Sequence, residues 1–175
     1  MAAVIKHAIF LSGPIGAGKT TLGRALSERI GGAFIDGDDH SDPGHPWYCS
    51  ILHTSAAIVR TGLAKLGSKP VLVIAYPLNC IGWIYFRRKF EGAGIQPVFV
   101  TLQASFAAIT GRGRGRSFSS EEKERIQVMI AEGYGARPFS DLLVNTDGPN
   151  FAATLTQLES GIRQVMQHQV LQLPP

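Results

Sequence analysis

A-I-F-L-S-G-P-I-G-A-G-K-T-T-L-G-R-A-L-S-E-R-I-G occupies residues 8–31. An apolar run, Ile9 to Leu11, ends at Gly13. Gly13-Pro14-Ile15-Gly16-Ala17-Gly18-Lys19-Thr20 then matches G-x-x-x-x-G-K-[ST] at every fixed position. Beyond it Leu22, Ala25, Leu26 and Ile30 recur at helical spacing. Strand, glycine-rich loop and helix are the context in which that pattern holds phosphate. The glycines let backbone N–H groups turn inward on an anion. The helix start adds the positive end of its dipole. Lys19 reaches the β- and γ-phosphates as a point charge, and the Thr20 hydroxyl suits Mg2+. Gly13, Gly16, Ala17, Gly18, Lys19, Thr20 and Thr21 are the expected contacts to the nucleotide.

Composition sets the frame around that loop. One domain, 1–175, is expected, and that length buries a real core. The chain is 45% apolar and 17% charged, which sets disorder aside. Its formal charge of +4 suits a site for a polyanionic nucleotide. No basic stripe is interleaved with aromatics, so nucleic acid is not the expected partner. Cys49 and Cys80 are far apart and read as two reduced, partly buried thiols. No apolar run is long enough to span a membrane. The N-terminal apolar run leads straight into the loop and reads as a core strand rather than a leader. The expected compartment is the cytoplasm.

The remaining elements alternate. Strands are expected at 8–12, 33–35, 71–75, 97–102 and 142–144. Helices are expected at 18–31, from Pro46-Trp47 to about 66, at 80–91, at 104–111 and at 120–132, the last opened by the capping box Ser119-Ser120-Glu121-Glu122. A final helix is expected to start at Asp147-Gly148-Pro149. Val71 to Ala75 is continuously apolar, as in a strand covered on both faces of a parallel sheet. Alternating strands and helices mean an α/β sandwich with helices on both faces. In such sheets ligands gather at the carboxyl ends of the strands. That rule draws the phosphate loop, Asp36/Asp38, Tyr76-Pro77-Leu78-Asn79 and the region after Leu102 into one cleft.

Asp36 and Asp38 follow the second strand, and alternation along an extended chain points both toward the cleft. One carboxylate can hold Mg2+ through water and the other can orient an acceptor hydroxyl. Arg112-Gly113-Arg114-Gly115-Arg116 reads as a flexible basic lid, about 112–119, whose guanidinium groups pair with phosphoryl oxygens. Trp47, Tyr76 and Arg87 are candidate contacts to the acceptor. The third strand does not end in aspartate, so Asp36 or Asp38 must take the Mg2+ task that a Walker B aspartate performs elsewhere.

With Gly13 to Thr20, Phe34-Ile35-Asp36-Gly37-Asp38, Pro46-Trp47 and Ile109-x-x-Arg112, the chain resembles the shikimate kinase and gluconate kinase group of P-loop kinases. The resemblance implies a three-layer α/β/α sandwich with a five-stranded parallel sheet of order 2-3-1-4-5. It implies ATP, Mg2+ and transfer of the γ-phosphoryl group to a hydroxyl of a small metabolite. It further implies Asp36 in the Mg2+ shell, Asp38 at the acceptor hydroxyl, Arg112 beside adenine, and Arg116 or Arg114 as the lid arginine. Lys19, Asp38 and Arg116 are then the catalytic set. The stretch after the third strand departs from both kinases: Ala75-Tyr76-Pro77-Leu78 stands in place of Gly-Gly-Gly or a Ser-Ala-Leu-Lys-Lys-like run. The expected partner is a small hydroxylated substrate, and the protein is expected to be a monomer or homodimer. A nucleoside or nucleotide kinase, and a nucleotide-binding regulatory protein without acceptor chemistry, are the alternatives.

Overall fold

The computed structural model describes residues 4–41, 44, 47–148 and 150–171, with backbone alone for 47–49 and 112. β1 (Lys6–Ser12) is the central strand of a five-stranded, all-parallel sheet of order β2-β3-β1-β4-β5. β2 is Ala33–Asp36, β3 Val71–Ala75, β4 Ile95–Gln103 and β5 Leu142–Asn145. The helices are α1 (Lys19–Arg29), α2 (Trp47–Leu66), α3 (Cys80–Glu91), α4 (Phe106–Thr110), α5 (Ser120–Ala131) and α6 (Phe151–Leu171). The expected class and strand order are both found.

Alternation in β1 separates two cores. Ile9 and Leu11 face a cluster that includes Leu22 and Leu26 of α1 and Leu155, Leu158 and Ile162 of α6. Ala8 and Phe10 face the other side, against Ile58, Phe86 and Phe90 of α2 and α3. Phe10 sits between Phe86 at 4.9 Å and Phe99 at 5.2 Å, centroid to centroid. Such aromatic contacts add about 0.5–1.5 kcal/mol each beyond simple burial. Burial on both faces explains why β1 and β3 read as unbroken apolar runs. It also fixes the carboxyl ends of β1, β2 and β3 side by side.

Two expectations are corrected. α6 does not start at Asp147-Gly148-Pro149, of which Pro149 lies outside the described residues. Asn150 caps it instead, its Oδ1 accepting the Ala153 N–H at 3.0 Å. Asp147 is spent on the β4–α4 turn, where Oδ1 accepts the Ser105 N–H at 2.8 Å. Cys80, expected to be partly buried, is exposed at the start of α3. No helix of the described residues is long and apolar enough to cross a membrane.

Candidate active site

The chain leaves β1 at Ser12 and turns back through residues 13–18 into α1. Gly16 has φ +78°, and a Cβ there would lie 2.5 Å from Ile109 Cγ2, so glycine is what allows α4 to close onto the loop. α1 begins at Gly18 with no side-chain cap. Its first-turn N–H groups are therefore left to an anion, with the helix dipole behind them. Lys19 Nζ donates to the carbonyls of Gly13 and Pro14 at 3.0 and 2.8 Å. Burial lowers its pKa from 10.5 to about 8; the charges of Asp38 and Asp36 oppose the fall and Arg116 adds to it. The two carboxylates and the arginine thus register at one ammonium.

Asp36 links that loop to the next strand. Thr20 Oγ1 donates to Asp36 Oδ2 at 2.7 Å. The other oxygen, Oδ1, accepts the Asp38 N–H at 3.2 Å and opens a 3-10 turn, Gly37–His40. The extended D-G-D of the sequence reading is corrected here. Asp38 comes toward Lys19 through a capped turn, not through alternation. Asp38 is exposed, yet neighbouring protein desolvates its carboxyl and pushes the pKa up; Asp36 adds to the rise and Lys19 opposes it. Among the described residues no three His, Cys, Asp or Glu side chains converge as a metal site. The Thr20 hydroxyl and Asp36 carboxylate are instead hard oxygen donors of the kind Mg2+ accepts, with its other ligands from phosphate and water.

A second wall is built from separate segments. The Tyr76 ring lies on the 3-10 turn so closely that a Cβ at Gly37 would sit 2.2 Å from its Cδ2. Burial, then the charge of Asp38, then Tyr134 raise the Tyr76 phenol pKa. The Arg137 guanidinium stacks on the Tyr134 ring at 3.9 Å. Its Nε donates to Leu78 O at 3.1 Å and its Nη1 to Glu132 O at 3.0 Å. The buried Ser12 hydroxyl accepts the Leu78 N–H at 2.8 Å, tying this wall to the end of β1. Asp38, Tyr76, Tyr134 and Arg137 thus follow one another around a face beside the phosphate loop.

The arginines of residues 112–116 divide. Arg114 donates to Gly16 O at 2.8 Å, to Thr146 O and weakly to Thr146 Oγ1 at 3.4 Å. Thr146 Oγ1 in turn donates to Ala17 O at 3.1 Å. Arg114 is therefore tied down between the loop and the end of β5. Arg116 is exposed, paired with Glu122 at 2.9 Å and lying over the Phe118 ring at 4.7 Å. The Arg112 side chain lies outside the described residues, as does that of Trp47.

Arg87 is not brought to this cleft. It sits two turns down α3, over Trp83 at 5.5 Å and paired with Glu91 at 2.9 Å. Both arginine and tryptophan line a separate cavity of about 200 Å3 at the start of β4, together with Gln96, Asp141 and Gln169. There β4 runs past the first residue of β5, which pairs only from Val100 onward. Gln169 caps Pro97 O at 3.0 Å and Asp141 caps the Phe99 N–H at 2.8 Å, so this is an edge closed by side chains. Arg87 as an acceptor contact is corrected accordingly. Sequence reasoning missed Tyr134, Arg137 and Ser12. The only local signal was a cation before Pro138 in the segment entering β5.

No protein-family model matches the chain. It is 47% identical over 140 residues to a probable gluconokinase of Schizosaccharomyces pombe, covering 72% of each chain. It is 26% identical over 152 residues to the shikimate kinase of Buchnera aphidicola, covering 81% of this chain and 88% of that one. Its fold superposes on the crystal structure of a gluconokinase from Sinorhizobium meliloti with TM-score 0.78 at 20% identity, covering 98% and 100%.

Proposed function

The chain belongs to the gluconokinase family and is an ATP-dependent kinase of a small hydroxylated metabolite, and on that premise we propose that its acceptor is a sugar acid of the gluconate type. Residues 1–175 act as one kinase unit with 112–119 as lid. Lys19 and the N–H groups of the loop hold the β- and γ-phosphates. Thr20 and Asp36 would hold Mg2+, which would supply positive charge against the phosphates. Asp38 orients the acceptor hydroxyl and takes its proton as the oxygen–phosphorus bond forms and the bond from the γ-phosphorus to the β,γ-bridging oxygen breaks, with ADP as the leaving group. Arg116 faces the transferring group, because Arg114 is occupied by Gly16 and Thr146. Tyr76 and Tyr134 wall the acceptor, and Arg137, with Nη2 free of any protein acceptor among the described residues, receives its carboxylate.

The observation that carries this reading is the chain of contacts Thr20–Asp36–Asp38. One carboxylate binds the loop hydroxyl with one oxygen and holds the turn that presents the second carboxylate with the other. The test is ADP release from Mg-ATP against sugar acids, their carboxyl-reduced polyols, shikimate and nucleosides. Sugar acids are expected to exceed the matching polyols about 10- to 100-fold in kcat/KM, the worth of a hydrogen bond to a charged group. A nucleoside as best acceptor, or Mg-ATP binding with no acceptor turned over, overturns the reading.

A further inference from the structure

Glu122 makes more contacts than a helix cap requires. Its backbone N–H donates to Ser119 Oγ at 3.2 Å, and its Oε2 accepts the Ser119 N–H at 3.0 Å. These two bonds complete the capping box of α5. The remaining oxygen, Oε1, accepts from Arg116 Nη2 at 2.9 Å. The same guanidinium covers Phe118, whose ring packs on the phosphate loop 3.0 Å from where a Gly16 Cβ would stand. Arg116 is also close enough for its charge to be felt at Lys19. One carboxylate, already immobilised by the helix cap, therefore grips the arginine that stands beside the phosphate loop.

We propose that Glu122 is a positioning residue that presets Arg116 for the γ-phosphoryl group. The proposal rests on the kinase reading above, with Arg116 as the lid arginine. The cap alone does not call for a charge, since glutamine completes a capping box as well as glutamate. Nor does the ion pair add much stability: both side chains are exposed, and such pairs are weak. What the pair supplies is direction. An arginine has five donors in a rigid fork, and Glu122 engages one nitrogen while the others remain for phosphoryl oxygens. A guanidinium held in advance need not be ordered when the transition state forms.

Substituting Glu122→Gln keeps the cap and removes the charge; Glu122→Ala removes both. The first measurement needs no turnover. Side-chain 15N NMR of arginine-labelled protein is expected to show Arg116 restricted in the parent and mobile in Glu122→Gln, with the thermal midpoint unchanged. Equal mobility in both overturns the proposal whatever the acceptor is. The second uses Mg-ATP with the best acid of the panel above. Glu122→Gln is expected to lose about five- to tenfold in kcat with KM for ATP near the parent value, the coupling expected of contacting residues. In an Arg116→Ala background the same substitution is expected to have no further effect. An equal loss in that background overturns the proposal. Absence of turnover in the parent overturns the kinase reading and leaves the NMR result to decide on Glu122.

Discussion

The donor side and the acceptor side of the cleft are made in different ways. The donor side is one contiguous stretch, Gly13 to Thr20, and its chemistry is largely backbone: N–H groups, a helix end and one lysine. The side proposed for the acceptor is assembled from three distant segments, Asp36–Asp38, Tyr76–Leu78 and Tyr134–Arg137, mostly through side chains. A backbone site tolerates little change, because glycine at 16 is dictated by Ile109 and Phe118. A side-chain site can be rewritten one residue at a time while the sheet beneath it stays the same. The difference separates what phosphoryl transfer demands from what the substrate demands.

That contrast can be broken at its strongest point first. Lys19→Ala should reduce kcat/KM about 10^2- to 10^3-fold for every acceptor alike, as expected for a lost electrostatic clamp of about 3–4 kcal/mol. Steady-state kinetics on two different acids checks this; a loss confined to one acid would place Lys19 on the acceptor side. Arg137→Ala should act on the other side only. It should raise KM for the acid about tenfold or more, leave KM for ATP unchanged and abolish the preference for acid over polyol. An effect on ATP instead would merge the two sides.

A smaller effect comes from pH, and its sign differs between binding and stability. The Lys19 pKa lies near 8 in the folded chain, below its ordinary 10.5. Above about pH 8 the free protein loses that charge, so ATP affinity should fall, by up to about tenfold per unit. Between 8 and 10.5 the unfolded chain holds the extra proton, so this group makes stability rise with pH across the same window. Calorimetric titration with ATP and thermal melts from pH 7 to 9.5 check the opposite slopes. Parallel slopes would mean that Lys19 is not the group responsible.

The two sides were also unequally legible in the sequence. The loop and the alternation of strands with helices were readable because each depends on local pattern: apolar runs, glycines at fixed offsets, a lysine and a threonine. The strand order depends on pairing between distant segments, and only the resemblance to the shikimate and gluconate kinases implied it. Asp36 and Asp38 were readable as residues but not as geometry, since the cap from Asp36 Oδ1 replaces the expected extended chain by a turn. Arg137 was readable only as a cation before Pro138, not as part of a site. Its position depends on stacking with Tyr134 and on a carbonyl 59 residues away in sequence, which no local pattern records. Arg87 misled for the complementary reason. A basic helix face near a cleft in sequence instead lines a separate cavity at the start of β4.

In the proposed reaction Asp38 delivers an acid's hydroxyl to the γ-phosphoryl group held by the loop. Phosphorus-31 NMR of the protein with Mg-ATP and gluconate, alongside Asp38→Asn, tests it most directly. ADP and a new phosphomonoester of the acid are expected with the parent protein. With Asp38→Asn the ester is expected to form about 100-fold more slowly or less, at unchanged Mg-ATP affinity. Ester formation at the parent rate in Asp38→Asn would contradict that role of Asp38.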